Sequence, residues 1–360
     1  MAPTTIAGIL DIDDADSILV NEVGQETVYQ AVQEYTSRIN DSLNRITGLF
    51  VERTTTSYKW TYKLPGNREL QTQGGLGRAG EQKFGASYDV ELPIFQFGDA
   101  LGGSFVDMAY MSISDVDRQV VEIQNAARRT LRKEILKALF NNTALSFEDR
   151  KNGTLSVKTL ANGDGTYYPP VPGTDDLAEA THYAETGYLV SAIDDTNNPI
   201  KNFHKATLLG RYPDEADAIV FIASNMQAKV EALTDFMEVG DPRIVKGGLA
   251  DRLTGLPGGV PGKIIGRCND MWVSVWADIP SNYSMSIAPS VEKPLQRRVD
   301  PPATGLPAEL TLIKQSDLFP LEKSEWMWRF GMGVVNRLNG YVLECGNGGT
   351  YTVPTSLARS

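Results

Sequence analysis

Cysteine and histidine are scarce in this chain, which has two residues of each type: Cys268 and Cys345, His182 and His204. The two cysteines do not form a C-x-x-C pair or a disulfide framework, so we interpret them as small buried hydrophobic residues. A reducing, intracellular environment fits this usage. Two histidines cannot supply a three-His zinc site, and neither lies in an H-E-x-x-H motif.

Long apolar runs and a cationic excess are also missing. No segment approaches the ~18 consecutive apolar residues of a membrane-spanning helix, so we expect no membrane span. Residues 1–20 lack the basic start and unbroken apolar core of a secretory signal peptide, and we expect no export. The formal net charge of −11 argues against a protein that reads nucleic-acid sequence through a basic surface.

Recognisable catalytic and metal-binding motifs are absent as well. There is no G-x-S-x-G motif, and two histidines offer no convincing Ser–His–Asp set. The glycines of residues 74–82 lack the Gly-Lys-Ser/Thr of a phosphate-binding loop, so we interpret them as a flexible tip. Residues 11–16, DIDDAD, lack the central glycine and final glutamate of a calcium loop. We therefore predict no enzyme activity, no cofactor and no metal site.

The composition is that of a folded, soluble protein. The 360 residues are 41% hydrophobic and 22% charged, enough for one large domain or two ordinary ones. The order of patterns along the chain is a helix, a β-arm, a long helix, a mixed block and closing strands. This order predicts the α+β class with discontinuous domains.

The strongest pattern is one long amphipathic helix over residues 114–142. At 1.5 Å per residue such a helix is ~40 Å long. Ser114 with Asp117 suggests its start, and Asn141 with Asn142 its end. Apolar residues at spacings of three or four predict one core-facing stripe. The stripe consists of Val116, Val120, Ile123, Ala127, Leu131, Ile135 and Leu139.

A β-arm precedes the long helix. A first helix is predicted over 25–47, followed by a strand over 51–64 and a second strand over 84–97. A two-stranded ribbon is only marginally stable alone in water, so we expect the arm to lie on a neighbouring subunit. We expect its charged tip residues, Arg78, Glu81 and Lys83, to contact that subunit.

The remaining chain alternates helices and strands. We predict a surface hairpin or loop over 150–175, helices over 177–196 and 199–210, and a buried strand over 216–224 followed by a helix over 225–236. Further strands are predicted over 271–280, 283–290, 309–315, 324–338 and 340–346. Trp326 and Trp328 alternate on one strand, and we expect them to pack against the long helix.

In this order of elements the chain resembles the major capsid proteins of tailed bacteriophages, whose Hong Kong 97-type fold is shared with encapsulins. Residues 1–50 look like the N-terminal arm and helix, and residues 51–105 like the extended hairpin called the E-loop. Residues 106–200 look like the P domain with its spine helix 114–142 and a loop-rich insertion. Residues 201–320 resemble the A (axial) domain, and 321–360 the closing strands that return to the P domain.

The resemblance implies a structural protein of the virion. Subunits would form hexamers and pentamers, assemble in the host cytoplasm and enclose double-stranded DNA, with portal, scaffold and decoration proteins as further partners. The acidic charge would keep packaged phosphates from adhering to the wall. The alternative within this fold is an encapsulin-type nanocompartment shell. A soluble α+β enzyme would need a catalytic cluster, and a tail-tube or baseplate protein would be mostly β.

The resemblance also suggests one covalent chemistry. Some members of the family join an E-loop lysine to a P-domain asparagine near a buried glutamate. In this chain the lysine would be Lys83, the asparagine Asn336 or Asn339, and the glutamate Glu344. The interpretation we favour is that they are ordinary polar residues of the surface.

Overall fold

The computed structural model describes residues 4–6, 10–12, 18–64, 87–104, 110–169, 171–172, 177–215, 217–239, 260–318 and 321–359. The predicted arm tip with Arg78, Glu81 and Lys83 lies outside these residues, and so does most of the acidic segment 11–16. A short hairpin of β1 (Thr4–Ile6) and β2 (Leu10–Ile12) opens the described chain. None of the helices in the described ranges has the length and apolar character needed to span a membrane.

The two predicted long helices are present. After the short helix α1 (Val20–Val23), α2 occupies Gln25–Thr47, as predicted, and α3 occupies Ile113–Phe140. The predicted start of α3 was wrong by two residues. Ser112 is the N-cap: its Oγ accepts a hydrogen bond from the Asp115 backbone nitrogen at 3.2 Å, and the Asp115 carboxylate accepts one from the Ser112 nitrogen at 3.3 Å. This cap places Ile113, which is fully buried, in the first turn.

One face of α3 is buried against α2 and the central sheets. Val116, Val120, Leu131 and Ile135 are buried, and the hydrophobic core that contains them also includes residues of α2 such as Ile39 and Leu43. Ile123 is only half-buried, because the interior position at that turn is occupied by Gln124. Asn141 ends the helix, and its side chain donates to the Lys137 carbonyl at 2.7 Å.

The predicted first strand of the arm is divided into two. β3 (Val51–Thr55) runs parallel to β17 (Leu295–Arg298), whereas β4 (Lys59–Lys63) pairs with β5 (Ser87–Glu91). The break has a local cause, since the Thr55 hydroxyl accepts a hydrogen bond from the Ser57 nitrogen at 3.1 Å and turns the chain.

The predicted second strand is divided as well. It is interrupted at Pro93, which has no backbone N–H for a ladder, before β6 (Phe95–Ser104) begins. β6 therefore continues beyond residue 97, where the predicted strand ended.

A five-stranded sheet joins the arm region to the end of the chain. Its strands β18 (Thr311–Leu318), β19 (Leu321–Val334), β17 and β3 follow in this order, and β6 pairs with β19 from Phe95 opposite Phe330 to Ser104 opposite Leu321. As predicted, Trp326 and Trp328 are buried on one face of β19, and they line a narrow cleft together with Ile123 and Ala127 of α3.

A separate seven-stranded sheet combines strands that are far apart in the chain. Its order is β11 (Tyr183–Glu185), β20 (Tyr341–Glu344), β16 (Tyr283–Ile287), β12 (Ile219–Ile222), β15 (Met271–Val275), β14 (Lys263–Cys268) and β13 (Phe236–Glu238). All four residues of β12 are buried, which confirms the predicted interior strand. A π-helical segment, Ile200–Leu209, packs against β16 and β20 in place of the predicted helix 199–210.

Two helix predictions were wrong. The segment 177–196 contains β10 (Ala178–Thr181), β11 and a single 3-10 turn, Val190–Ala192. Pairing of β11 with β20 outweighs local helix propensity there. The predicted helix 225–236 is only a 3-10 turn, Ser224–Met226, followed by α4 (Gln227–Glu231). The segment 150–175, predicted as a surface hairpin or loop, is instead shared between two hairpins: β7 (Leu145–Asp149) pairs with β8 (Gly153–Val157), and β9 (Asn162–Tyr168) pairs with β10.

Candidate assembly surface

The described part of the β-arm, β4 with β5, is well packed against the body of the protein, and we call it the arm root. β4 and β5 pair from Lys59 opposite Glu91 to Lys63 opposite Ser87, where the described part of the arm ends. Tyr62, Leu64, Val90 and Leu92 point inward and form a small core of their own. Their partners in that core come from the same chain: Ala161, Tyr168, Val335 and Leu338. The expectation that the arm needs a neighbour is therefore wrong for its root.

A buried arginine organises this root. Arg337 is only 1% exposed, and its guanidinium donates to the carbonyl oxygens of Thr159 at 2.7 Å and Leu160 at 3.2 Å. Its charge is balanced by Asp164, whose carboxylate lies 2.9 Å from Nη1. Burial disfavours the ionised form of Asp164, but the charge of Arg337, hydrogen bonds from Thr166 and Arg337, and the charge of Lys158 together lower the pKa of this carboxyl.

Two tyrosines of the arm strands are tied to other segments of the same chain, Tyr88 to the one before β20 and Tyr62 to the loop before β17. The Tyr88 hydroxyl donates to the Val335 carbonyl at 2.6 Å and accepts from the Arg337 backbone nitrogen at 3.2 Å. The Tyr62 hydroxyl donates to the Glu292 carboxylate at 2.8 Å. Burial raises the pKa of both phenols far above the ordinary value, so both remain donors at any physiological pH.

A second buried arginine holds the chain just after β5. Arg298 of β17 donates to the Leu92 carbonyl at 2.8 Å and forms an ion pair with Asp149 at 2.8 Å. Burial again disfavours ionised Asp149, but hydrogen bonds from the backbone of residues 151 and 152 and from Arg298 lower its pKa. Charge-assisted hydrogen bonds of Arg337 and Arg298 thus hold the arm root in place. Such bonds are stronger than those between neutral groups.

Glycines allow the arm to cross β19 at close range. A Cβ atom on Gly331 would collide with the carbonyl group of Pro93, and one on Gly333 would lie 2.6 Å from a methyl carbon of Leu92. The motif Gly331-Met332-Gly333 inside β19 was the signal for this crossing, since glycine inside a strand often marks the close approach of another backbone. Our sequence interpretation missed it.

The asparagines considered for a covalent cross-link are buried and hydrogen-bonded. The Asn339 amide exchanges two hydrogen bonds of 2.9 Å with the backbone of Ala288 and donates a third to the Glu292 carbonyl. Asn336 donates to the same carbonyl at 2.7 Å. The interpretation of these asparagines as surface residues was therefore wrong: they stabilise the loop that precedes β17. Lys83 lies outside the described residues.

Glu344 is engaged elsewhere in the protein. Its carboxylate accepts hydrogen bonds from the Thr352 nitrogen at 2.7 Å and from the Tyr283 hydroxyl at 3.0 Å. These contacts fasten the C-terminal segment to the seven-stranded sheet. They are structural contacts that leave both carboxylate oxygens hydrogen-bonded.

The scarce titratable side chains are in the core. His204 is enclosed between Ser284 and Ser286, at 2.8 Å and 2.9 Å from their hydroxyls, and burial lowers its pKa to about 3. Burial also lowers the pKa of His182 to about 4, although its hydrogen bond with the Gly340 carbonyl acts in the opposite direction. Both cysteines are buried free thiols, as predicted, and burial raises the pKa of each to about 12.

The buried histidines and cysteines are poorly suited to catalysis. A thiol with so high a pKa carries almost no nucleophilic thiolate near neutral pH. Across the described ranges, His, Cys, Asp and Glu side chains do not converge in threes or more in a way that could hold a metal ion.

The fold is that of solved phage structures. The chain superimposes on a chain from Mycobacterium phage Patience with a TM-score of 0.62 at 16% identity, covering 95% of this chain and 92% of that one. It superimposes on a chain from the asymmetric unit of the bacteriophage PhiM1 mature capsid with a TM-score of 0.51 at 8% identity, covering 84% and 87%. No protein-family model and no curated protein matches the sequence. The similarity establishes the fold, and the expected Hong Kong 97-type capsid fold is confirmed.

Proposed function

We propose that this chain is the major capsid protein of a tailed phage, a non-enzymatic subunit that self-assembles through hexamers and pentamers into an icosahedral shell around double-stranded DNA. The observation that carries the proposal is the capsid fold, which spans nearly the whole chain. A fold alone does not fix a function, so the argument also needs a surface suited to assembly.

The β-arm supplies that surface. Its root is fixed to the body by the small core and by Arg337 and Arg298, so the direction in which the arm leaves is set by the folded subunit. The segment beyond Lys63 and Ser87 carries Arg78, Glu81 and Lys83, and we assign it to contact with a neighbouring subunit. Preorganisation of the root lowers the entropic cost of that contact. Many such contacts in one closed shell add up by avidity.

The remaining regions take the roles that the resemblance implies. We assign α3, with its core face of Val116, Val120, Ile123, Leu131 and Ile135, to the spine of the P domain. We assign residues 201–320, which contribute β12 to β16 of the seven-stranded sheet, to the A domain around which hexamers and pentamers would close. In this account the protein is a component of the virion, assembled in the host cytoplasm, with portal and scaffold proteins as partners.

The proposal is tested by removing the arm tip. The full chain and a variant lacking residues 66–82 are expressed and compared by sedimentation velocity and thermal unfolding. We expect the full chain to form large particles, and the deletion variant to unfold at nearly the same temperature but to remain as small species. A matched variant, in which 66–82 is replaced by a Gly/Ser linker of equal length, separates lost side-chain contacts from a shortened loop.

Two outcomes would contradict the proposal. Normal closed shells from the deletion variant would show that the arm tip does not carry the intersubunit contact. A full chain that stays monomeric under all conditions, including added salt and crowding agent, would contradict the shell function itself. Shells that enclose a cargo enzyme and lack DNA would favour the nanocompartment alternative.

A further inference from the structure

The C-terminal half of α3 carries a concentrated positive charge in an otherwise acidic protein. The formal net charge of the chain is −11, yet the short stretch RRTLRKEILK contains five cations and one anion. The cations are Arg128, Arg129, Arg132, Lys133 and Lys137. Five of the 34 Lys and Arg residues of this net-acidic chain therefore lie within ten positions of one helix, and the question is what they face.

Two of these cations have carboxylate partners. Arg132 lies 3.3 Å from Asp278, and Lys137 lies 2.9 Å from the buried Glu134. Within the described ranges, Arg128, Arg129 and Lys133 form no ion pair. Arg129 and Lys133 are exposed, and Arg128 is half-buried. We refer to Arg128, Arg129 and Lys133 as the basic patch.

Local energetics do not account for the basic patch. Arg128 and Arg132 are four residues apart, and so are Arg129 and Lys133. Like charges at this spacing destabilise a helix by roughly 0.2–0.5 kcal/mol per pair. The helix macrodipole favours cations only within the last turn, where Lys137 lies. The basic patch begins well before that turn. The arrangement is unfavourable in the isolated subunit and becomes favourable beside a polyanion.

We propose that the basic patch binds the phosphate backbone of double-stranded DNA without sequence preference. The inference rests on the proposed function for its setting, since the DNA in question is the DNA that the shell encloses. The patch extends about 7.5 Å along the helix axis at 1.5 Å per residue. Duplex DNA carries about one charge per 1.7 Å of its axis, so several phosphates lie opposite the patch.

The acidic remainder of the protein limits this binding to the patch. At physiological ionic strength charges are screened over about 8 Å, so the field near the patch is governed by its own cations. Elsewhere the net negative surface repels phosphates. DNA therefore contacts the protein weakly at the basic patch and does not adhere to the rest of the shell wall.

The test is fluorescence anisotropy of a labelled 30-base-pair duplex titrated with unassembled subunits of the full chain, separated from assembled particles by size-exclusion chromatography, across a range of KCl concentrations. The patch variant carries Arg128→Gln, Arg129→Gln and Lys133→Gln, because glutamine keeps high helix propensity. The control variant carries Lys151→Gln, Lys229→Gln and Lys263→Gln, three exposed lysines on separate elements. Both variants change the net charge equally. A third titration uses a labelled peptide of residues 9–18, which represents the acidic segment of a second copy.

We expect the patch variant to bind DNA at least about 10-fold more weakly than the full chain at 50 mM KCl, with a slope of log K against log salt reduced by about 2.7. The control variant is expected to bind like the full chain. Equal DNA binding by patch and control variants would overturn the inference, and so would patch-dependent binding of the peptide without patch-dependent binding of DNA. Because the measurement uses unassembled protein, its failure is distinct from a failure to form shells.

Discussion

Arg337 lies beneath Tyr88, with its guanidinium carbon 5.7 Å from the centre of the tyrosine ring and its backbone nitrogen donating to the tyrosine hydroxyl at 3.2 Å. This pair connects the arm strand β5 to the segment before β20. Its location explains why the arm root is stable within one subunit, whereas an isolated two-stranded ribbon would not be. The folded subunit therefore presents an arm with a fixed origin.

Replacing Arg337 should destabilise the arm root. We expect Arg337→Met to lower the free energy of unfolding by about 3 kcal/mol, because Asp164 and two buried carbonyls lose their partner. Urea denaturation measures the change. Arg38→Met, which breaks the exposed Arg38–Glu34 pair, is the control and should cost under about 1 kcal/mol. Equal effects of the two substitutions would show that the buried network does not stabilise the fold.

Gly331 should not tolerate a side chain. We expect Gly331→Ala to cost about 2 kcal/mol, because the added methyl group collides with the Pro93 backbone, which has little freedom to move. Gly210→Ala is the matched control, since a Cβ there meets no atom within 4 Å, and it should be neutral or slightly stabilising. Thermal unfolding compares the two variants. A Gly331→Ala protein as stable as the parent would contradict the close crossing of the arm over β19.

The residues of the apolar stripe of α3 should contribute unequally to the free energy of unfolding. We expect Leu131→Ala, at a fully buried position, to cost about 3 kcal/mol, and Ile123→Ala, at a half-buried position, to cost about 1 kcal/mol. Urea denaturation of both variants measures the difference. If Ile123→Ala proved the more damaging of the two, the face of α3 that we describe as buried would be wrong.

Stability should decrease on acidification because of the buried histidines. Their pKa values are lowered to about 3 for His204 and about 4 for His182, whereas both titrate near 6.5 in the unfolded chain. Between these values the unfolded state binds more protons, so the native state is favoured above pH 6.5 and loses stability as the pH falls towards 4. Each histidine contributes a slope of up to about 1.4 kcal/mol per pH unit.

Urea unfolding between pH 5 and 6 measures this slope, in a range where few carboxylates titrate. We expect His204→Gln to have about half the slope of the parent protein, because one of the two titrating groups is removed. An unchanged slope would mean that His204 becomes protonated in the native state without cost, which contradicts its complete burial.

Elements with a long and regular pattern could be predicted from the sequence. The helix 25–47 and the long helix follow from periodicity, and the buried strand within 216–224 follows from its continuous apolar run. The tryptophan pair of β19 follows from its alternation. Boundaries failed where one local contact decided them. The Ser112 cap moved the start of the long helix, and the Thr55–Ser57 turn divided one predicted strand into two.

The arm root could not be predicted, because its stability depends on contacts between distant parts of the chain. Tyr88 and Arg337 are far apart in sequence, and neither lies in a short motif. The segment 177–196 failed for the same reason, since its pairing with β20 is decided by tertiary structure. Asn336 and Asn339 were interpreted as surface residues because nothing local indicates that their amides bind the backbone of residues 288 and 292.

Cryo-electron microscopy of the purified full chain at neutral pH tests the central claim most directly. The account predicts closed shells tens of nanometres across, or free hexamers and pentamers, in which the arm of each subunit reaches over its neighbour. A monodisperse monomer or small dimer that never assembles would contradict the account and would require a different function for this fold.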